Sequence, residues 1–155
     1  MAVTKSGLFC KTFIDVLDTT QLLLDLDLET HKGALFTDTI TPSFTNDTAY
    51  AAAPYDANEV VSGGAEWPAG GVVLITTVFT EAVVGSAVFD AADVSAAATT
   101  LTSAMCYMLY ADALGTNNCI CLVDFVTAVS TVAGTFEILW TAAASGGIFN
   151  IDLTP

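Results

Sequence analysis

From Gly71 onward the chain is a succession of short apolar segments separated at near-regular intervals by Gly, Asn and Ser, and this rhythm constrains the fold more than any other feature. Val72–Thr80, Val83–Asp90, Met105–Tyr110, Ile120–Phe125, Thr135–Thr141 and Ile148–Leu153 read as strands. Asp112–Asn118, with Gly115-Thr-Asn-Asn118 at its centre, Ser130–Gly134 and Ala142–Gly147 read as the turns between them. No helical pattern alternates with these strands, so a parallel sheet is not expected. Upstream, Leu22, Leu24, Leu26 and Leu28 alternate with Asp25 and Asp27, the period of a half-buried strand with an acidic outer face. Thr30-His-Lys-Gly33 is then expected to turn the chain into a partner strand over Ala34–Ile40. Helical spacing is confined to Ser6–Leu17, where Phe9, Phe13 and Val16-Leu17 share a face and Ser6 is placed as the N-cap. Residues 41–71 hold Pro42, Pro54, Pro68 and several Gly and Asn, yet also Phe44, Tyr50, Tyr55 and Trp67. A loop of that length inside a compact domain is expected to be functional or docked on something. The expectation is one all-β domain over 1–155, an antiparallel β-sandwich or barrel of about eight strands. A short N-terminal helix or arm lies within 1–20, and one long irregular loop runs over about 41–71.

Charge narrows the function. Lys5, Lys11 and Lys32 are the only permanent cations against 17 Asp and Glu, a formal charge of −14. Binding nucleic acid requires cationic side chains that displace counterions from phosphates, so that class is excluded, and attachment to an anionic membrane surface fails for the same reason. Lys11 interrupts what would be the apolar core of a secretory signal, and the uncharged run Val94–Ala111 carries too many Ser and Thr for a membrane span. The chain reads as cytosolic and soluble. Hydrophobic residues nevertheless make up 54% of it and charged residues only 13%. That excess of apolar side chains calls for burial beyond one small core, and a subunit interface is the natural place.

Chemistry-bearing constellations are sparse. Cys119 and Cys121 are expected on one face of a strand, where residues two apart cannot bridge, so Cys10, Cys106, Cys119 and Cys121 read as reduced, buried thiols. No paired Cys-x-x-Cys or His-x-x-x-His suggests zinc. His31, the single histidine, falls in the expected turn beside Lys32 and reads as solvated. No Gly-x-Ser-x-Gly, Walker loop, Gly-x-Gly-x-x-Gly or His-Glu-x-x-His occurs. Asp25, Asp27 and Glu29 form the one acidic constellation. Three carboxylates at period two on a strand face are candidates for calcium or for a glycosidase pair, set against the plain reading of an outer strand guarded against stray pairing. Trp67 and Trp140 suit a core or an interface equally.

Several segments taken in order resemble a family of small virion proteins of tailed bacteriophages. They are Thr48-Ala-Tyr50, Asn58-Glu-Val60, Ser62-Gly-Gly64 and Trp67-Pro-Ala-Gly-Gly-Val-Val-Leu74, preceded by Leu26–Thr37 and followed by Ala111-Asp112, Leu122–Phe125 and Gly134–Ile138. The likeness runs from about Phe13 to the C-terminus, and its order and spacing carry it; Asn58–Trp67 is longer than the family's pattern. The resemblance implies a structural role with no cofactor and no catalytic residue. It points to a capsid decoration protein on the outside of the head shell, made in the host cytoplasm. The implied partners are the major capsid protein and further copies of the chain, in a homo-oligomer such as a trimer. A neck, tail or fibre-base protein is the alternative within the particle, and a carbohydrate-binding module the alternative outside it. Interface candidates, chosen on aromatic enrichment at interfaces, are Leu8, Phe9 and Phe13 in the N-terminal segment and Tyr50, Tyr55 and Trp67 in the long loop.

Overall fold

A computed structural model describes residues 3–63 and 66–154, so Gly64 of the Ser62-Gly-Gly64 motif and the adjoining Ala65 lie outside the described residues. Along the chain run β1 (Gly7–Leu8), α1 (Cys10–Leu17), β2 (His31–Phe36), β3 (Glu59–Val60), β4 (Val72–Val73), β5 (Val78–Val83) and β6 (Ser86–Asp90). They are followed by β7 (Val94–Thr99), β8 (Ala104–Ala111), β9 (Asn118–Val129), β10 (Gly134–Ile138), a 3-10 turn at Ala143–Ser145, and β11 (Phe149–Asp152). The protein is mostly β and sandwich-like, and every strand pairing described is antiparallel.

The central sheet has the order β1-β9-β8-β2-β3, with β4 also on β2. β8 occupies one edge of β2 along its full length, from His31↔Ala111 to Phe36↔Cys106. The opposite edge is shared, β3 pairing at Leu35-Phe36 and β4 at Lys32-Gly33. Two smaller sheets, β7-β10 and β5-β6-β11, complete the architecture.

β8 reads Ala-Met-Cys-Tyr-Met-Leu-Tyr-Ala, an unbroken apolar run, and such a strand is stable only if both faces are covered. Leu35, Tyr107, Leu109, Ala111 and Ile120 look into one cluster with Phe89 of β6, Val94 and Ala96 of β7, and Phe136 and Ile138 of β10. Ala34, Phe36, Cys106, Met108, Tyr110 and Leu122 look the other way, onto Val3, Phe9, Ile40 and Tyr55, with Phe44 and Tyr50 alongside. The second face is thus roofed by the N-terminal segment and the long loop. Phe44, Tyr50 and Tyr55 are explained by this docking, whereas Trp67 of the same loop packs into the first cluster.

Four local expectations are corrected. Leu22–Leu28 is not a strand: Asp25 Oδ1 accepts the N–H groups of Asp27 and Leu28 at 3.0 Å each, which closes a turn and ends the alternation. Thr30–Gly33 is not a turn, since β2 begins at His31, and the expected strand over Ala34–Ile40 stops at Phe36. Helix α1 begins at Cys10 with Phe9 as its N-cap, and Ser6 instead accepts the Asp124 N–H. Cys119 and Cys121 fall on opposite faces, because Leu109 pairs with Cys121 and Tyr110 with Cys119, leaving Ile120 as a bulge. β7, Val-Ser-Ala-Ala-Ala-Thr, was not expected as a strand; its small side chains give little β signal, and pairing with β10 forms it.

Candidate functional site

The acidic constellation and the N-terminal helix meet at one place. After α1 the chain doubles back, the Leu22 N–H donating to the Asp15 carbonyl at 2.8 Å. The returning segment is then tied down twice. The Asp25 carbonyl lies 3.1 Å from His31 Nε2, and the Asp27 carbonyl accepts Thr77 Oγ1–H at 3.0 Å. Between the segment, α1, β5 and β11 lies a groove of about 690 Å³. Its walls are apolar, from Phe13, Val16, Leu17, Leu23, Phe79 and Ile151, and Asp25, Asp27 and Glu29 line it as well. Leu17 and Leu23, 86% and 82% exposed, stand at this groove. Phe13 is held beneath it by an edge-on contact with Phe149, ring centroids 6.2 Å apart.

The three carboxylates do not converge. Asp25 Oδ1 is committed to its own turn, Asp27 Oδ1 faces the Phe79 N–H at 3.4 Å, and Glu29 Oε2 is buried with no hydrogen-bond partner. Among the described residues no three His, Cys, Asp or Glu side chains gather closely enough to hold a metal ion. The arrangement is an apolar trough with an acidic border.

Of the six interface candidates, three are core. Phe9 is wholly buried against Phe44 and Tyr55. Tyr55 is buried, its hydroxyl donating to Asp47 Oδ2 at 2.6 Å, and burial together with that carboxylate raises its pKa. Trp67 is wholly buried with its ring edge-on to Phe136 at 5.2 Å. Leu8 and Tyr50 are half-buried; Tyr50 stacks on Tyr110 with centroids 4.2 Å apart and donates to Glu59 Oε2 at 2.6 Å. Phe13 lines the groove described above, and Leu8 lines a smaller one of about 200 Å³ beside Ile148 and Phe149. Phe44, Tyr50 and Tyr55 of the loop cover the second face of the sheet, while Trp67 packs into the cluster on the first.

His31 is likewise not solvated. It is fully buried, edge-on to Phe89 at 5.7 Å, with Nδ1 unpartnered, and desolvation lowers its pKa. Burial pushes the Cys106 and Cys121 thiols up to about 12, while Cys10 is exposed. A second groove, about 630 Å³, lies between the distal half of β9 and β10, lined by Phe125, Val129, Thr131, Thr135, Glu137 and Trp140 among others. Exposed Val126, Val132 and Leu139 belong to the same stretches of chain. Neither groove is visible from one segment of sequence, since each is assembled from residues far apart in it.

The surface charge is largely uncompensated. Among the described residues the ion pairs are Lys11–Asp15 at 2.6 Å and Lys32–Asp112 at 3.0 Å, while Lys5 lies over the Phe44 ring at 5.8 Å. No helix among the described residues is long and apolar enough to cross a membrane. Compared with known protein families, curated proteins and solved structures, the chain gives no match.

Proposed function

We propose that the chain is a structural virion protein of a tailed bacteriophage, most specifically a decoration protein that binds the outer face of the head shell. The reading begins from the ordered resemblance of Thr48–Leu74 and its flanking segments to that family. The observation that carries it furthest is the surface: large apolar side chains such as Leu17, Leu23, Val126, Val132 and Leu139 stand exposed on a chain of net charge −14. Exposed apolar side chains favour assembly, and acidic neighbours keep the free subunit soluble until a lattice is present. A ligand that binds only the assembled lattice adds its binding free energy to shell stability by mass action. The mostly β fold, with its sheets of antiparallel strands, gives such a clamp a rigid frame.

Quantitative mass spectrometry of purified particles tests this through the number of copies per major capsid subunit. Copies in the hundreds support a shell-wide role. A dozen or fewer move the protein to the neck, tail or fibre base, and absence from the particle removes the virion reading. A carbohydrate-binding module is the second reading, favoured by Trp140, which lines the β9–β10 groove with Thr131, Thr135 and Thr141. Calorimetric titration with host surface polysaccharide separates it from the first.

A further inference from the structure

We infer that the groove between α1, the Leu22–Glu29 segment, β5 and β11 is a docking site for a segment of another protein that carries apolar side chains flanked by Lys or Arg. The inference rests on the groove itself and holds whichever particle or complex the chain belongs to.

Three observations converge. The walls are apolar and open, with Leu17 and Leu23 more than four-fifths exposed in the free chain. The border is acidic, and one of its oxygens, Glu29 Oε2, is buried with no donor supplied by the described residues. The groove is also preformed, because its acidic wall is fastened to β2 through the Asp25 carbonyl and His31, and near β5 through Thr77 and the Asp27 carbonyl. A preformed site binds without the cost of ordering its own backbone.

Charge decides the occupant. A second copy of this chain is ill suited, because it would bring carboxylates to carboxylates. Its three lysines are already engaged, Lys11 with Asp15, Lys32 with Asp112 and Lys5 over Phe44. A purely apolar ligand would leave Asp25, Asp27 and Glu29 beside a low-dielectric surface with nothing to offset the lost hydration. A segment with apolar side chains for the trough and cations for its border satisfies both, and its attraction to the acidic chain also speeds encounter.

The test uses the full chain and a fluorescent synthetic peptide with Leu at every third or fourth position and Lys between. Two companion peptides carry the same Leu pattern with Glu, and Lys alone. Fluorescence anisotropy is expected to show saturable binding of the Leu/Lys peptide, weakening as salt rises, with neither companion binding comparably. Leu17→Ser with Leu23→Ser is expected to weaken it by about tenfold or more, from the burial of leucine surface on binding. Asp25→Asn with Asp27→Asn keeps each Oδ1 acceptor and is expected to weaken binding by about two- to fivefold per charge removed. Amide chemical-shift changes should centre on Phe13, Leu17, Leu23 and Phe79. Equal binding of the Leu/Glu or Lys-only peptide, undiminished binding by the leucine variant, or no saturable binding would overturn the assignment. Both leucines are solvent-exposed, so an unchanged melting temperature verifies that the variant retains its fold.

Discussion

Gly33→Ala puts the closest packing of the central sheet to the test. Gly33 lies mid-way along β2, and a Cβ built there would stand 1.8 Å from both Cζ and the hydroxyl oxygen of Tyr107. Ordinary contact begins at 3.4 Å, so the shortfall is about 1.6 Å. Tyr107 cannot yield easily: it is wholly buried, and Trp140 meets its ring at a centroid distance of 5.4 Å. Behind Gly33 the backbone is also fixed, since its carbonyl oxygen would lie 1.8 Å from any Cβ at Gly71. Replacing a strand glycine with alanine ordinarily stabilises by about 0.5–1 kcal/mol through the unfolded chain. Overpacking a full core costs about 1–3 kcal/mol, which reverses that sign. A shortfall of about 1.6 Å places the cost in the upper part of that range, about 2–3 kcal/mol, so the expected net loss is about 1–2.5 kcal/mol, or a fall of about 0.5–1.2 M in the urea midpoint for a slope near 2 kcal/mol/M. The same substitution in a Tyr107→Leu background should lose at least about 1 kcal/mol less, because the obstructing ring is gone. An unchanged or raised midpoint, or an equal loss in both backgrounds, refutes the argument that the ring occupies the glycine's place.

Three further outcomes are expected. Tyr107→Phe should leave stability unchanged or raise it by up to about 1 kcal/mol in urea unfolding, because the hydroxyl it removes is buried and has no hydrogen-bond partner. Trp67→Ala should destabilise by about 3–5 kcal/mol, whereas Leu23→Ser should stay within about 0.5 kcal/mol; comparable effects would contradict the placement of Trp67 in the core and Leu23 on the surface. His31 is held neutral by burial, so the unfolded chain takes up the proton first as pH falls through about 6.5. Stability is then lost on acidification and kept above that pH, so melting temperatures of wild type and His31→Gln should diverge in slope between neutral and mildly acidic pH, wild type being the steeper.

How much was legible depended on whether one period carried the answer. Most of the strands after Gly71 were readable because apolar segments and breaker residues agree there, and β8 appears close to its expected span; β9 spans Asn118–Val129, twice the expected Ile120–Phe125, and the strand expected over Val72–Thr80 is broken into β4 and β5. Leu22–Leu28 misled because a period-two pattern does not by itself supply a neighbouring strand, and Leu28, which the pattern turned inward, is 83% exposed. Leu26 is indeed buried and Asp25 and Asp27 exposed, yet the Asp25 side chain takes the backbone N–H groups that a ladder would need. His31 misled for the converse reason, polar neighbours suggesting a turn where pairing with Ala111 makes a strand. The grooves left no sequence signature. Phe13, Leu23, Phe79 and Ile151 become neighbours only once β5-β6-β11 has been laid beside α1.

The apolar excess that suggested a subunit interface has two destinations, and the structure divides it between them. A first share is absorbed internally, because the central sheet is covered on both faces and therefore builds two apolar clusters rather than one. Phe9, Tyr55 and Trp67 belong to that share, so aromatic content alone overstated how much was left for partners. A second share stays outside, and it is not scattered evenly: Leu17 and Leu23 border one groove, and Val126, Val132 and Leu139 belong to the strand end and turns around the other. The two differ in their charge. Asp25, Asp27 and Glu29 line the first and Glu137 the second, so a cationic partner is favoured at the first while the second resists a like-charged neighbour less. Contacts between copies of the chain, if they form, therefore belong at β9–β10 and should tighten as salt screens the net charge of −14, whereas the α1 groove should release its partner under the same conditions.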